Sequence, residues 1–102
     1  MATSHRIAKV GEIPPGQCLR VEIGGLPIGI FNVDGSFHAI HDMCTHSEAS
    51  LCEGDLEGDE VVCPLHFATF NVKTGACTGP PADEDVPTFP VRVDGDDIIV
   101  DV

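Results

Sequence analysis

The chain has 102 residues, 42% of them hydrophobic and 22% charged, which is typical of one small globular domain and excludes a disordered segment. The formal net charge is −12, and the 52 residues between Arg20 and Lys73 contain no Lys or Arg but nine carboxylates. Nucleic-acid binding is disfavoured because neutralising phosphates requires cationic side chains. The acidic interval itself allows two interpretations, which are solubility and electrostatic steering toward a basic partner protein.

No stretch approaches the length of a membrane span, and the first residues, "MATSHRIAKV", lack the apolar segment of a secretory signal. We therefore expect a soluble cytoplasmic protein that does not associate with a membrane. Five cysteines is an odd number, and a reducing compartment would keep them as thiols or metal ligands. The cysteine content therefore favours metal binding over a disulfide framework.

The first half of the chain predicts a series of antiparallel strands. Residues 17–23, "QCLRVEI", alternate between apolar and polar positions, and "GG" at 24–25 leads into a second strand candidate at 26–33. A further hairpin turn at 33–36, "VDGS", is followed by "FHAIHDM". This β-meander brings the chain to Cys44.

The second half begins with a long polar loop, residues 45–60, and continues with a short strand at 60–63 that ends at Cys63. Another strand and turn are predicted at 68–76, then a Pro-rich irregular segment, and a closing hairpin at 89–102 around Asp94-Gly95. About eight short strands joined by turns indicate an all-β fold, an antiparallel sandwich or barrel. We predict a single domain spanning residues 1–102.

Two short motifs, "CTH" at 44–46 and "CPLH" at 63–66, each place a cysteine close to a histidine. A structural zinc ion can be held by two cysteines and two histidines, but zinc-finger spacing groups the cysteines together and the histidines together. The mixed pairs suit a [2Fe–2S] cluster with two thiolates on one iron and two imidazoles on the other. A zinc-stabilised interaction module would be colourless, whereas an iron–sulfur protein would be red-brown.

The two motifs together resemble the Rieske iron–sulfur signature. The segment "CPLHFATFNVKTGACTGPPA" is similar to the small Rieske-type ferredoxins of bacterial aromatic-ring dioxygenase systems, and the resemblance covers essentially the whole chain. It implies the Rieske iron–sulfur fold, with a cluster-binding subdomain of two loops at about 43–82 inserted in a β base. It also implies one [2Fe–2S] cluster and a proline-containing loop at Gly79, Pro80 and Pro81 that covers it. The implied iron ligands are Cys44 and Cys63 on the inner iron and His46 and His66 on the outer iron.

The same resemblance implies a monomeric one-electron carrier without catalytic residues of its own. Its partners would be a flavin-dependent ferredoxin reductase, which supplies electrons, and a Rieske non-haem iron terminal oxygenase, which receives them and oxidises the aromatic compound. A catalytic oxygenase subunit would need a second, larger domain, and we expect none in 102 residues. The alternative is a small Rieske subunit of a multi-component reductase such as assimilatory nitrite reductase.

Differences from high-potential Rieske proteins predict a low reduction potential. Those proteins carry a further cysteine in each loop, and the matching positions here are Ala49 and Leu65, which cannot form a disulfide. Ala68 and Phe70 stand where that class has hydroxyl donors to the cluster. Fewer hydrogen bonds stabilise the reduced cluster less, so we expect a potential near the low end of roughly −150 to +300 mV. Phe67 stands where many members have glycine, which affects partner geometry rather than ligation.

The remaining cysteines and histidines have structural interpretations. We expect Cys18 to be a thiol near solvent, because it shares a face of its strand with polar residues, and Cys52 to be a free cysteine without a ligand role, buried or half-buried. Cys77 is expected to serve packing. His38 and His41 are expected to be ordinary strand residues on opposite faces.

Overall fold

A computed structural model describes residues 3–43, 50–64, 67–79 and 84–102. These residues contain strands and two short 3₁₀ helices, Val10–Glu12 and Leu51–Glu53, and no α-helix is found among them. The all-β prediction is confirmed. In the described ranges, no helix is long and apolar enough to cross a membrane. The strands are β1 (Ser4–Lys9), β2 (Cys18–Ile23), β3 (Leu26–Val33), β4 (Ser36–His41), β5 (Leu56–Glu57), β6 (Glu60–Val62), β7 (Thr69–Asn71), β8 (Cys77–Gly79), β9 (Thr88–Phe89), β10 (Val91–Asp94) and β11 (Asp97–Asp101).

The strands of the described chain form three antiparallel sheets. Their orders are β1-β11-β10, β2-β3-β4-β9 and β5-β6-β7-β8. The two predicted hairpins of the middle sheet are present, with Ile23 opposite Leu26 and Val33 opposite Ser36. The predicted closing hairpin is also present as β10 and β11.

Tight turns with positive φ connect the middle strands, as the Gly-containing dipeptides predict. Gly24 and Gly25 have φ of 60° and 83°, and Asp34 and Gly35 have φ of 50° and 92°. Two consecutive residues with positive φ match the right-handed twist of a two-residue hairpin, and glycine adopts that conformation without steric cost. These turns set the register that places β4 next to β3.

Strand β3 lies between two hydrophobic cores. Ile28 and Ile30 belong to the first, which we call the base core, while Phe31 and Val33 belong to the second, which we call the loop-side core. Alternating side chains thus enter different cores, which explains why β3 is buried on both faces and nearly continuous in apolar residues. The buried members of the base core are Ala8, Ile13, Ile28, Ile30, Ala39, Ile98 and Val100. Those of the loop-side core are Phe31, Val33, Ile40, Leu51, Val61, Cys63, Ala68, Phe70, Val72 and Val86.

Candidate metal centre

The second Cys/His loop begins at Cys63, the residue after β6, and Cys63 is fully buried in the loop-side core. The backbone N–H of Cys63 donates to the carbonyl of Ala68 at 2.7 Å, and the N–H of Phe67 donates to the carbonyl of Cys63 at 3.1 Å. These two bonds close the loop at its base. Phe67 adopts a φ of 63° and is 72% exposed, whereas the next residue, Ala68, is fully buried. A buried thiol and an exposed aromatic ring therefore lie four residues apart in the chain.

A hollow of about 210 Å³ lies beside this loop, lined by Glu53, Gly54, Asp55, Val62, Cys63, Pro64 and Phe67. Glu53 and Asp55 are exposed, so the hollow has an acidic rim next to the exposed ring of Phe67. Gly54 lies at the contact with β6, since a Cβ atom added there would overlap the carbonyl oxygen of Val62. The N–H of Val62 donates to the carbonyl of Asp55 at 2.9 Å. The segment after the first motif thus packs directly against the strand that leads to the second.

Asp42 precedes the first motif and is buried, only 1% exposed. Its carboxylate accepts hydrogen bonds from the hydroxyl of Ser50 at 2.5 Å and from the backbone N–H of Cys52 at 2.6 Å. The Nε of Arg20 lies 3.2 Å from the same carboxylate. Burial raises the pKa of Asp42, and the hydrogen bonds and the charge of Arg20 act against that shift. Asp42 is one of the nine carboxylates in the acidic interval, and its side chain points inward and stabilises the fold through these contacts.

Cys18 and Cys52 form a disulfide, with their Cα atoms 5.5 Å apart. The predictions of a solvent-facing thiol at Cys18 and an unbonded cysteine at Cys52 are wrong, as is the expectation that all five cysteines stay as thiols or ligands. The physical reason is that Cys18 packs against the loop-side core, while Arg20 and Glu22 on the same face of β2 are exposed. Alternation along β2 separates the two faces correctly, but it cannot show that the polar face is covered locally at Cys18.

The other residues with structural interpretations lie where expected. Cys77 packs against the loop-side core, and its backbone N–H donates to the Asp85 carboxylate at 2.8 Å. His38 and His41 lie on β4. His38 is less usual, because its Nε2 atom is buried and has no hydrogen-bond partner among the residues that the structure describes. Burial and the charge of Lys73 lower the pKa of His38.

Of the four predicted ligands, Cys63 is described, while Cys44, His46 and His66 lie outside the described residues. Ala49, Leu65, Pro80 and Pro81 lie outside them as well. Within the described part of the chain, no three His, Cys, Asp or Glu side chains cluster closely enough to hold a metal ion.

The available residues fit a Rieske cluster. Cys63 presents a thiol in an apolar, fully buried position, as an inner-iron ligand requires, and the two motifs supply two thiols and two imidazoles in total. Ala68 and Phe70 are fully buried and carry no side-chain donor. The surroundings of the described ligand are therefore apolar, with backbone amides as the donors nearest in sequence.

Comparisons with known proteins agree with this geometry. The family model described as the Rieske [2Fe–2S] domain matches residues 3–90. The chain belongs to the Rieske [2Fe–2S] family, and its cofactor is a Rieske-type [2Fe–2S] cluster.

Within the family, the chain groups with ferredoxin subunits, the electron-transfer components of aromatic dioxygenase systems, and not with catalytic subunits. It is 45% identical over 100 residues to the biphenyl dioxygenase ferredoxin subunit of Pseudomonas sp. (strain KKS102), covering 97% of this chain and 92% of that protein. It is 46% identical over 94 residues to the 3-phenylpropionate/cinnamic acid dioxygenase ferredoxin subunit of Escherichia coli (strain K12), covering 91% and 88%. The predicted resemblance is confirmed.

Solved structures give the same grouping. The ferredoxin in a complex of reduced oxygenase and oxidized ferredoxin in carbazole 1,9a-dioxygenase is similar with a TM-score of 0.91 and 35% identity, covering 95% of this chain and 91% of that one. A putative NADH-dependent nitrite reductase small subunit from Mycobacterium tuberculosis has a TM-score of 0.88 at 24% identity, covering 100% and 96%, which shows a shared fold alone. The ferredoxin interpretation is favoured over the nitrite reductase alternative.

Proposed function

We propose that this protein carries single electrons from a flavin-dependent ferredoxin reductase to the Rieske non-haem iron terminal oxygenase of an aromatic-compound dioxygenase system. The observation that carries the proposal is similarity to dioxygenase ferredoxin subunits along almost the whole chain, at 45% identity over 97% of it. We further propose that it acts in the cytoplasm as a monomer. The domain arrangement that goes with this role is one Rieske domain over residues 1–102, with the cluster-binding region at about 43–82.

In this proposal Cys44 and Cys63 hold the inner iron, and His46 and His66 hold the outer iron. The full burial of Cys63 supports an inner position for the thiolates, and the exposure of Phe67 supports an outer position for the adjacent histidine. When bound, the cluster supplies reversible one-electron chemistry. Cys63 would hold the cluster on its buried side, and the two histidines would hold it on the side that a partner could approach.

The surface around the second loop has features that suit a docking partner. The exposed ring of Phe67 lies by the hollow whose rim carries Glu53 and Asp55. An apolar contact surrounded by charge is the usual composition of a transient interface, and carboxylates attract a partner with basic side chains. The carbazole system, in which an oxygenase and its ferredoxin form a complex, offers the model for such docking.

The ligand assignment is tested by anaerobic purification of the wild type and the variants His66→Ala and His41→Ala. The wild type and His41→Ala should contain two irons and two acid-labile sulfides per chain, as one [2Fe–2S] cluster requires. Both should also show the reduced-state EPR spectrum of mixed His/Cys ligation, which His66→Ala should lose. His41 is the matched control because it lies on β4 and is not a predicted ligand. An unchanged spectrum in His66→Ala would contradict the assignment.

The carrier role is tested by mixing the reduced protein with an oxidised terminal oxygenase of the biphenyl type and following cluster reoxidation in a stopped-flow instrument. Saturable reoxidation that supports product formation is the expected result. The large subunit of an assimilatory nitrite reductase serves as the comparison acceptor. Faster electron transfer to that subunit, or stable copurification with it, would favour the alternative function.

A further inference from the structure

Two separate links hold the base of the first Cys/His loop. One is the buried carboxylate of Asp42, which precedes the loop and bonds to Ser50 and Cys52, which follow it. The other is the disulfide between Cys52 and Cys18 on β2. The described residues on either side of the first motif, Asp42 before it and Ser50 and Cys52 after it, are therefore tied to each other and to the middle sheet.

The Asp42 link is fixed from both sides. The backbone N–H of Asp42 donates to the carbonyl of Pro27 on β3 at 2.9 Å. The carboxylate of Asp42 accepts the two hydrogen bonds from Ser50 and Cys52, which follow the first motif. Arg20 on β2 adds a charge-assisted contact at 3.2 Å, which partly compensates the burial of the carboxylate. Losing this acceptor would leave the Cys52 amide without its partner at the loop base.

The two links meet over Gly29 on β3. A Cβ atom at that position would lie 3.1 Å from the Asp42 carboxylate and 3.3 Å from the Cys18 sulfur. The absence of a side chain at Gly29 is thus what allows both links to pack on the same patch of the middle sheet. Both links end at Cys52, but one is a hydrogen bond to its backbone N–H and the other is a covalent bond to its sulfur.

We propose that Asp42 and the Cys18–Cys52 disulfide are positioning residues for the first ligand loop, and that a cellular dithiol can loosen the loop by reducing the disulfide. This inference depends on the proposed ligand roles of Cys44 and His46, which lie between the two tied ends. In the reduction, a dithiol donates two electrons and two protons, the Sγ–Sγ bond breaks to give two thiols, and the dithiol becomes a disulfide. Asp42 then holds the loop alone, and the cluster is released more readily.

The first experiment establishes the disulfide and its effect on the cluster. Holoprotein is denatured in the presence of an alkylating reagent without reductant, and peptide mass spectrometry should find Cys18 and Cys52 joined to each other. Cluster release into a chelator is then followed by loss of visible absorbance. Dithiol treatment of the wild type should accelerate release about tenfold, the lower range seen when groups that orient metal ligands are removed.

The double variant Cys18→Ser/Cys52→Ser separates the disulfide from other effects of the reagent. It should release its cluster as fast as the dithiol-treated wild type, and added dithiol should change its rate no further. Cys77→Ser is the matched control, because Cys77 packs against the same core outside both links, and it should respond to dithiol as the wild type does. Equal release rates in all proteins, or acceleration of the double variant by dithiol, would overturn the inference.

Asp42→Asn tests the second link, with Ser50→Ala as a milder variant that removes one hydrogen bond if Asp42→Asn does not fold. Both should speed cluster release and broaden the EPR lines through a wider spread of ligand geometries, a change that loss of global stability does not produce. Wild-type EPR keeps the two proposals distinct. A wild type without a Rieske spectrum defeats the proposed function, whereas a normal spectrum with variants that release the cluster at the wild-type rate defeats only this inference.

Discussion

The carboxylate of Asp42 accepts a 2.6 Å hydrogen bond from the backbone N–H of Cys52, ten residues further along the chain. This bond closes the ends of the segment that carries the first Cys/His motif. A carboxylate that is 1% exposed is stable only when its oxygens are well bonded, so the closure and the burial depend on each other. The loop base is therefore a polar cluster embedded in the fold.

Gly54→Ala should destabilise the protein, because the added Cβ would overlap the carbonyl oxygen of Val62 and push the first loop segment away from β6. Overpacking of this kind costs about 1–3 kcal/mol. Denaturant unfolding of the holoprotein measures the loss. Gly11→Ala is the control, since a Cβ there meets no atom within 4 Å, and its free energy of unfolding should stay close to that of the wild type.

The reduction potential should lie near the low end of roughly −150 to +300 mV, and Ala68→Ser should raise it. A serine hydroxyl at this buried position next to the second loop can donate toward the cluster, which stabilises the reduced form. One hydrogen bond of about 1 kcal/mol corresponds to roughly 40 mV for one electron. A spectroelectrochemical titration measures both values, with Ala76→Ser in the β7–β8 connection as the control. A strongly positive wild-type midpoint would contradict the prediction.

Phe67→Gly should stabilise the protein and weaken docking at the same time. Phe67 has a φ of 63°, and glycine relieves a steric cost of about 1 kcal/mol in that conformation. Removing the exposed ring should also slow electron transfer to the oxygenase at limiting concentration. Thermal unfolding and stopped-flow reoxidation measure the two effects. Phe67→Ala separates them, since it removes the ring but keeps the strained φ, so only docking should weaken.

Glu53→Gln/Asp55→Asn should slow association with a basic partner, and it should make the rate less sensitive to salt. Both carboxylates are exposed on the rim of the hollow beside Phe67, where charge steers encounter without contributing to the core. Rates measured across a series of ionic strengths test this, with Asp34→Asn as an exposed carboxylate on the β3–β4 turn for control. A wild-type rate that is independent of salt would argue against steering.

Acid should destabilise the protein partly through His38. Its pKa is lowered in the fold by burial and by Lys73, so below the ordinary value of 6.5 the unfolded chain binds a proton that the folded chain resists. The destabilisation caused by His38 is absent well above pH 6.5. It grows as the pH falls below that value toward the lowered pKa of His38 in the folded state. The melting temperature of His38→Gln should therefore fall less between pH 8 and about pH 5 than that of the wild type. Parallel pH profiles would contradict this.

The elements that could be predicted from the sequence are those whose signals are local. Strands β2, β3 and β4 follow from alternation and from the Gly24-Gly25 and Asp34-Gly35 turns. Strands such as β5 and β9 contain two residues each, too short for any period to show, and they exist only through pairing with β6 and β4. Their spacing to histidine marks the motif cysteines in the sequence, and Cys63 directly follows a strand as predicted.

The disulfide and the Asp42 cluster could not be predicted, because both depend on contacts between segments far apart in the chain. Cys18 and Cys52 are 34 residues apart, and no motif links them. Asp42 reads as one more acidic residue in an acidic interval, and only the packing shows it to be buried. Composition and periodicity do not distinguish a buried carboxylate from an exposed one.

Strand β3 has one consequence for how such proteins can be recombined. Ile28 and Ile30 pack in the base core, and Phe31 and Val33 pack in the loop-side core. Both cores therefore depend on this one strand. Transplanting the metal-carrying half alone onto a foreign scaffold would leave Phe31 and Val33 behind and open a hole beneath the graft. The parts of the protein around the two cores therefore cannot be exchanged separately. A chimera should place its crossover points outside β3.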